Sequence, residues 1–210
     1  MANRPVYNVP VPSVLTAITP NSIGLRTNQI VGLFIQLIGT PFPDEATMKL
    51  KASWDALIAA SDSTKVVFTP PFSNPKFMQS KELETGQDTN ATYEGIPEYF
   101  GEGTVKVTIE FHNIDSASLA SMNYLYNLSK VNSANQAALG AYFLNNDGQF
   151  FCQDDFSPFR IINFTLRTRG TEGLNASDII GASFYLKPYW SDDMIPVVPS
   201  FDPRLYIANA

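Results

Sequence analysis

The sequence predicts a mainly β (α+β) fold: an antiparallel β-sandwich or small barrel with one or two short helices and extended, proline-rich N- and C-terminal arms. Three observations carry this. Charged residues make up 16% of the 210, against a usual share of roughly 25%, while Asn, Ser, Thr, Gly and Pro are plentiful, which suits a chain of many turns. The apolar segments alternate with a period of two or run unbroken for the length of a strand. Eight of the fifteen prolines fall near the ends: Pro5, Pro10, Pro12 and Pro20, then Pro188, Pro196, Pro199 and Pro203. At 44% apolar residues the chain has material for one good core, or two small ones at most.

Residues 1–20 form the first arm. Each proline fixes φ near about −65° and removes a backbone donor, so the arm is extended and unsuited to a sheet interior. Between the prolines stand Val6, Tyr7, Val9 and Val11, side chains that need a surface. That surface is either the arm's own body or a neighbouring copy, and the presence of two such arms favours the neighbour.

Residues 21–187 form the body. In 30–38, Ile30, Gly32, Phe34, Gln36 and Ile38 share one strand face and Val31, Leu33, Ile35 and Leu37 the other, so both faces are covered. Leu50, Trp54, Leu57 and Ile58 make one stripe on a helix of residues 47–60 that lies on the sheet. A short strand over 66–69 ends at Pro70-Pro71. Residues 104–111 (TVKVTIEF) alternate cleanly, with Val105, Val107, Ile109 and Phe111 inward. Asp115 is a good N-cap for a helix over 116–129, whose Leu119, Met122, Leu125 and Tyr126 face the core. Residues 139–144 and 149–152 flank Asn145-Asn146-Asp147-Gly148 and read as a hairpin, because Asp-Gly supplies the positive φ of a tight turn. Strands over 159–167 and 179–187 complete the body. The second arm, residues 188–210, carries Val197, Val198, Phe201, Leu205 and Tyr206.

The chemistry-bearing residues exclude more than they suggest. Fourteen basic and twenty acidic residues leave a net charge of −6, no basis for neutralising many phosphates. One histidine, His112, and one cysteine, Cys152, offer no metal cage. His112 ends a strand beside no nucleophile pattern, and Cys152 reads as a small buried side chain. Gly101-Glu102-Gly103 precedes a strand and carries an acid where a phosphate cradle avoids one. The acid pairs Asp154-Asp155 and Asp192-Asp193 lack calcium-loop spacing. Asn-x-Ser/Thr patterns begin at Asn90, Asn127, Asn163 and Asn175, and read as turn and strand composition. No catalytic, cofactor-binding or metal-ligating residue is therefore assigned, and an enzyme is not expected. The start has no apolar leader core, and the most apolar run, residues 30–39, is half of what a bilayer needs. A soluble protein of a reducing cytoplasm is expected, with no membrane partner.

The succession of 104–129, the hairpin LGAYFLNNDGQFF of 139–151, the strand FRIINFTLRTRG of 159–170 and ASFYLKPYWSDD of 182–193 resembles structural proteins of tailed bacteriophages, most of all tail-tube or head-to-tail connector proteins. The resemblance covers about residues 30–193 in layout. It implies a non-enzymatic virion subunit, made in the bacterial host cytoplasm, that forms a homo-oligomeric ring. Its partners would be other virion proteins and double-stranded DNA that passes through without sequence-specific contact. An acidic lining suits such a conduit, since like charge does not hold the polymer. The arms at both ends depart from a simple tube subunit. The assembly residues expected on this reading are Val6, Tyr7, Val9, Val11, Val197, Val198, Phe201, Leu205 and Tyr206. Alternatives are a capsid decoration or spike protein, or a carbohydrate-binding β-sandwich that uses Tyr189 and Trp190 as stacking platforms.

Overall fold

The computed structural model describes residues 29–39, 41–79, 84–85, 99–101, 103–129, 138–167, 169–170 and 178–208. The elements in chain order are β1 (Ile30–Leu37), α1 (Glu45–Lys49), α2 (Lys51–Ala59), β2 (Val67–Phe68), β3 (Phe72–Gln79), β4 (Glu84–Thr85), β5 (Tyr99–Gly101), β6 (Val105–His112), α3 (Ser116–Ser129), β7 (Leu139–Asn145), β8 (Phe150–Gln153), β9 (Phe159–Leu166), β10 (Ile179–Leu186), β11 (Met194–Val197) and α4 (Arg204–Ala208).

Nine of these strands make one antiparallel sheet in the order β11-β8-β7-β9-β10-β6-β3, with β1 on the other edge of β7 and β2 outside β1; β4 and β5 pair separately. The sheet folds over itself at two corners. At the first, β9 begins against β7 (Ala141↔Phe159) and ends against β10 (Leu166↔Ala182). Asn163, with φ +53°, marks the bend, and the register opposite it shifts between Ser183 and Tyr185. At the second, Pro70-Pro71 carries the chain from β2, paired with β1, to β3, paired with β6. The mainly β, sandwich-like body is thus as the sequence predicts.

Pleat alternation sorts the side chains into two cores. Leu33 and Ile35 of β1 and Ala141 and Phe143 of β7 point between the layers, where they meet Val107, Ile109, Ala182 and Phe184. Phe34, Tyr142 and Leu144 point the other way, into a second core with Met48, Trp54 and Val197. All seven residues of β7 are buried for this reason. A bulge between Ile30 and Gly32 changes the expected facing at the start of β1: Ile30 joins the inner core and Val31 the outer. β6 has one wet face, so it alternates buried and half-exposed as read.

The helix expected over 47–60 is two helices. Asp44 caps α1 by accepting the Thr47 N–H at 2.7 Å, and the chain leaves helical geometry at Leu50 (φ −84°, ψ 128°). The break releases two carbonyls. Met48 O accepts the Trp54 indole N–H at 2.7 Å, and Lys49 O accepts the N–H and hydroxyl of Ser200 at 2.9 and 2.8 Å. Leu50 is exposed in consequence, while Trp54 is fully buried. α3 follows its reading: Asp115 accepts the Ser118 N–H at 2.6 Å, and Ser129 Oγ donates to Phe164 O of β9 at 3.1 Å.

The C-terminal arm from 194 to 208 is part of this body. β11 is extended, as predicted, but it pairs with β8 from Met194↔Gln153 to Val197↔Phe150, and the chain then turns into α4. Pro196 is tolerated because β11 is an edge strand. The N-terminal arm, residues 1–20, lies outside the described residues.

Candidate functional site

The chemistry of the described residues can be placed directly. His112 is exposed at the end of β6, and its Nε2 lies 2.7 Å from Ser73 Oγ of β3. Beside it Asn74 Nδ2 donates to Glu110 at 3.1 Å. Ser73 stands 39 positions away in sequence, so the pair was not legible beforehand. The distance is that of a nucleophile and its base, but both residues are exposed on the open outer face of the β3–β6 ladder. Among the described residues no partner orients the other ring nitrogen. The pair serves as a cross-strand contact between β3 and β6.

Asp155 accepts the N–H of Ser157 at 2.9 Å in a turn. Among the described residues no group of three His, Cys, Asp or Glu side chains could hold a metal ion. Cys152 is buried, and burial pushes its thiol up to about 12, which leaves it unreactive at neutral pH. Of the two aromatic residues offered as sugar platforms, Trp190 stacks on Phe77 at 5.1 Å and meets Phe143 and Phe159 edge-on. It closes the inner core. Tyr189 is 57% exposed and lines a cleft of about 230 Å³ with Arg160, Lys187 and Asp193.

The predicted assembly residues divide into three groups. Val6, Tyr7, Val9 and Val11 lie outside the described residues. Val197, Phe201 and Tyr206 anchor the C-terminal strap to its own protomer. Val197 is fully buried in the outer core, and the Tyr206 ring lies 6.0 Å from Phe34, 5.9 Å from Phe68 and 5.9 Å from Phe201. Val198 and Leu205 face outward, 58% and 63% exposed. The tilt toward a neighbour is therefore corrected for the anchoring residues. The rings of α2 and β1 are covered by their own chain.

Polar contacts fix the strap. Tyr206 Oη donates to Asp55 Oδ1 at 2.5 Å, and Lys51 Nζ lies 2.7 Å from the same carboxylate and 5.4 Å from the Tyr206 ring centre. Lys51 first, then Tyr206, hold the Asp55 carboxyl below its ordinary value. Burial first, then Asp55, raise the Tyr206 phenol. Arg204 holds both oxygens of Asp202 at 2.8 Å and donates to Asn146 O at 2.9 Å.

On the far side of Phe68 no described residue covers the surface. β2 and α3 enclose an apolar groove of about 690 Å³, lined by Val67, Phe68, Pro70, Met122, Tyr124 and Leu125. Tyr124 at its rim is 64% exposed. The groove and the strap share Phe68, which contacts Tyr206 on one side and lines the groove on the other. Their juxtaposition is the candidate site. Comparison with protein-family models, with curated proteins and with solved structures finds no match to this chain.

Proposed function

We propose that the protein is a non-enzymatic structural subunit of a tailed-phage virion that assembles into rings around a DNA channel, as a tail-tube or head-to-tail connector protein. The observation that carries the assembly part is the apolar groove between β2 and α3, which no described residue fills; on the strap, Val198 and Leu205 face outward. An exposed apolar groove of this size marks an interaction site, and a head-to-tail contact between unlike patches closes into a ring when its rotation permits. The net charge of −6 suits a channel that passes DNA without holding it. The layout of strands, helix and hairpin supplies the phage part of the reading.

Light scattering and negative-stain imaging of the purified protein at micromolar concentration test this reading. Rings of defined subunit number are expected. A monomer at every salt concentration and every protein concentration would overturn it. A capsid decoration or spike protein would instead be trimeric and sit on the shell, which imaging of whole particles distinguishes.

A further inference from the structure

We infer that the groove between β2 and α3 receives the N-terminal segment, residues 5–19, of a neighbouring copy of this chain. The inference rests on the ring-forming reading and names the contact that would join one subunit to the next. The groove asks for an extended apolar chain. Val67, Met122 and Leu125 line its walls, and among the described residues β2 is a free edge. The Thr69 N–H bonds to Leu33 O at 2.9 Å across the β1–β2 ladder, and in an antiparallel ladder the next peptide faces the other way. Phe68 therefore presents its N–H and C=O to the groove, ready for an added strand. The N-terminal segment supplies what fits: Val6, Tyr7, Val9 and Val11 among prolines, then Val14, Leu15 and Ile18 in its longest proline-free run, residues 13–19.

The point where the segment leaves the body favours a second copy over its own. Gln29 is the first described residue, and its carbonyl accepts the Asn146 N–H at 2.8 Å. Asn146 O in turn accepts from Arg204, so the segment departs at the first turn of α4. The near mouth of the groove lies at the other end of α4. There Ile207 and Ala208 line a small cavity with Pro70 and Ser118, two residues that also line the groove. α4 lies along the direct route from the exit to the groove of the same protomer, and Ile207 packs it on Gly32. An arm from a neighbour enters at the exposed side, where Tyr124 and Lys65 stand.

Full-length chains, each with one cysteine in addition to the buried Cys152, test this. One population carries Ala120→Cys, on the exposed wall of the groove; the other carries Val6→Cys, Val9→Cys or Leu15→Cys. Oxidation of the mixture is expected to give a mixed covalent dimer, one molecule of each kind, for at least one arm position. With the two cysteines in separate molecules, docking within one chain cannot produce it. A link that forms only within a chain carrying both substitutions would overturn the inference in favour of the segment's own groove, and no link in either format would also overturn it. Ala120→Asp, a change on an exposed helix position, is expected to raise the concentration for half-assembly at least about tenfold with an unchanged circular dichroism spectrum; unchanged assembly would count against the groove. Light scattering of the unsubstituted protein separates the two failures. Rings without the interchain link sink the inference alone, whereas a monomer sinks the ring reading itself.

Discussion

The two sides of Phe68 differ in what the chain has done with similar residues. Toward α2, Trp54 is enclosed by Phe150, stacked at 4.3 Å, and by Phe42, Phe34 and Tyr142 at 4.8 to 5.4 Å. Its indole N–H is satisfied by Met48 O, and the C-terminal strap closes the cluster with Val197, Tyr206 and Ile207. Toward α3, Val67, Phe68, Met122 and Leu125 line a groove that no described residue fills. Hydrophobicity alone does not separate the two sides. What separates them is whether a later segment comes back over them, and among the described residues only the side reached by 194–208 is closed. An apolar surface becomes core when its cover is in the same chain and an interface when it is not.

The largest effect expected from breaking this contrast is at Trp54. Trp54→Ala removes the ring at the centre of four aromatic contacts and leaves the Met48 carbonyl without its partner, so a loss of about 3–5 kcal/mol is expected. Leu125→Ala, on the groove wall, removes contacts on one side only and should cost under about 1.5 kcal/mol. Urea titration followed by far-ultraviolet circular dichroism, which does not depend on the tryptophan, measures both. Equal losses would mean that the groove is as enclosed as the core in solution.

Next in size is the seat of α4. A Cβ at Gly32 would lie 3.2 Å from Ile207 Cδ1 and 3.3 Å from its Cγ2, so Gly32→Val forces either the strand or the helix to yield. Overpacking of this kind costs about 1–3 kcal/mol. The short helix is the softer partner, and protease cleavage near Arg204 should speed up while the β-sheet signal is kept. An unchanged cleavage rate would mean that α4 does not bear on Gly32.

How much of this was legible in advance depends on the element. β6 follows from apolar alternation, because only one of its faces is covered, whereas β1 and β7 follow from apolar runs of strand length, because both of theirs are; β9 and β10 show as strand-length apolar segments too. β3 and β11 did not show, since Pro75 with Asn74 at φ +56° and Pro196 interrupt them; both are edge strands, where a lost donor is tolerated. The break at Leu50 was hidden because the apolar stripe runs straight across it. It is fixed by acceptors for the Trp54 and Ser200 donors, and one of these comes from 151 residues away. The Ser73–His112 contact depends on strand register, which no local pattern carries. His112→Ala should leave assembly unchanged, as a surface pair contributes little; loss of function with the fold intact would reopen the enzymatic reading. The C-terminal arm was legible as apolar, but as extended only over β11, since it ends in α4. Which body the C-terminal arm rests on was not, because Val197 and Val198 are the same side chain and differ only in the face of β11 and its continuation that they occupy.

The smallest expected effect is the most specific, and it concerns how the strap is held at its end. Asp55 accepts from both Lys51 and Tyr206, and its pKa is lowered in the folded protein. A carboxyl of this kind contributes stability that is present above its unfolded value, near about 3.9, and is lost as pH falls through the folded value below that. Tyr206 is shifted the other way, chiefly by burial. Its contribution is present below its unfolded value of about 10 and declines as pH rises through the folded value above that. The strap's end is therefore held best between the two limits. Asp55→Asn removes the low-pH limit and Tyr206→Phe the high-pH one, while the rings around Phe34 and Phe68 stay in place. The melting temperature of the Asp55→Asn protein should lie slightly below that of the unsubstituted chain from about pH 5 to 8, with the gap closing below about pH 4. That of the Tyr206→Phe protein should differ slightly at neutral pH and resist the decline above about pH 10. Since Asp55 is exposed, salt should shrink the first gap. A gap that neither closes in acid nor responds to salt would assign the hold on α4 to packing alone, and would make Tyr206 one more ring of the enclosed side.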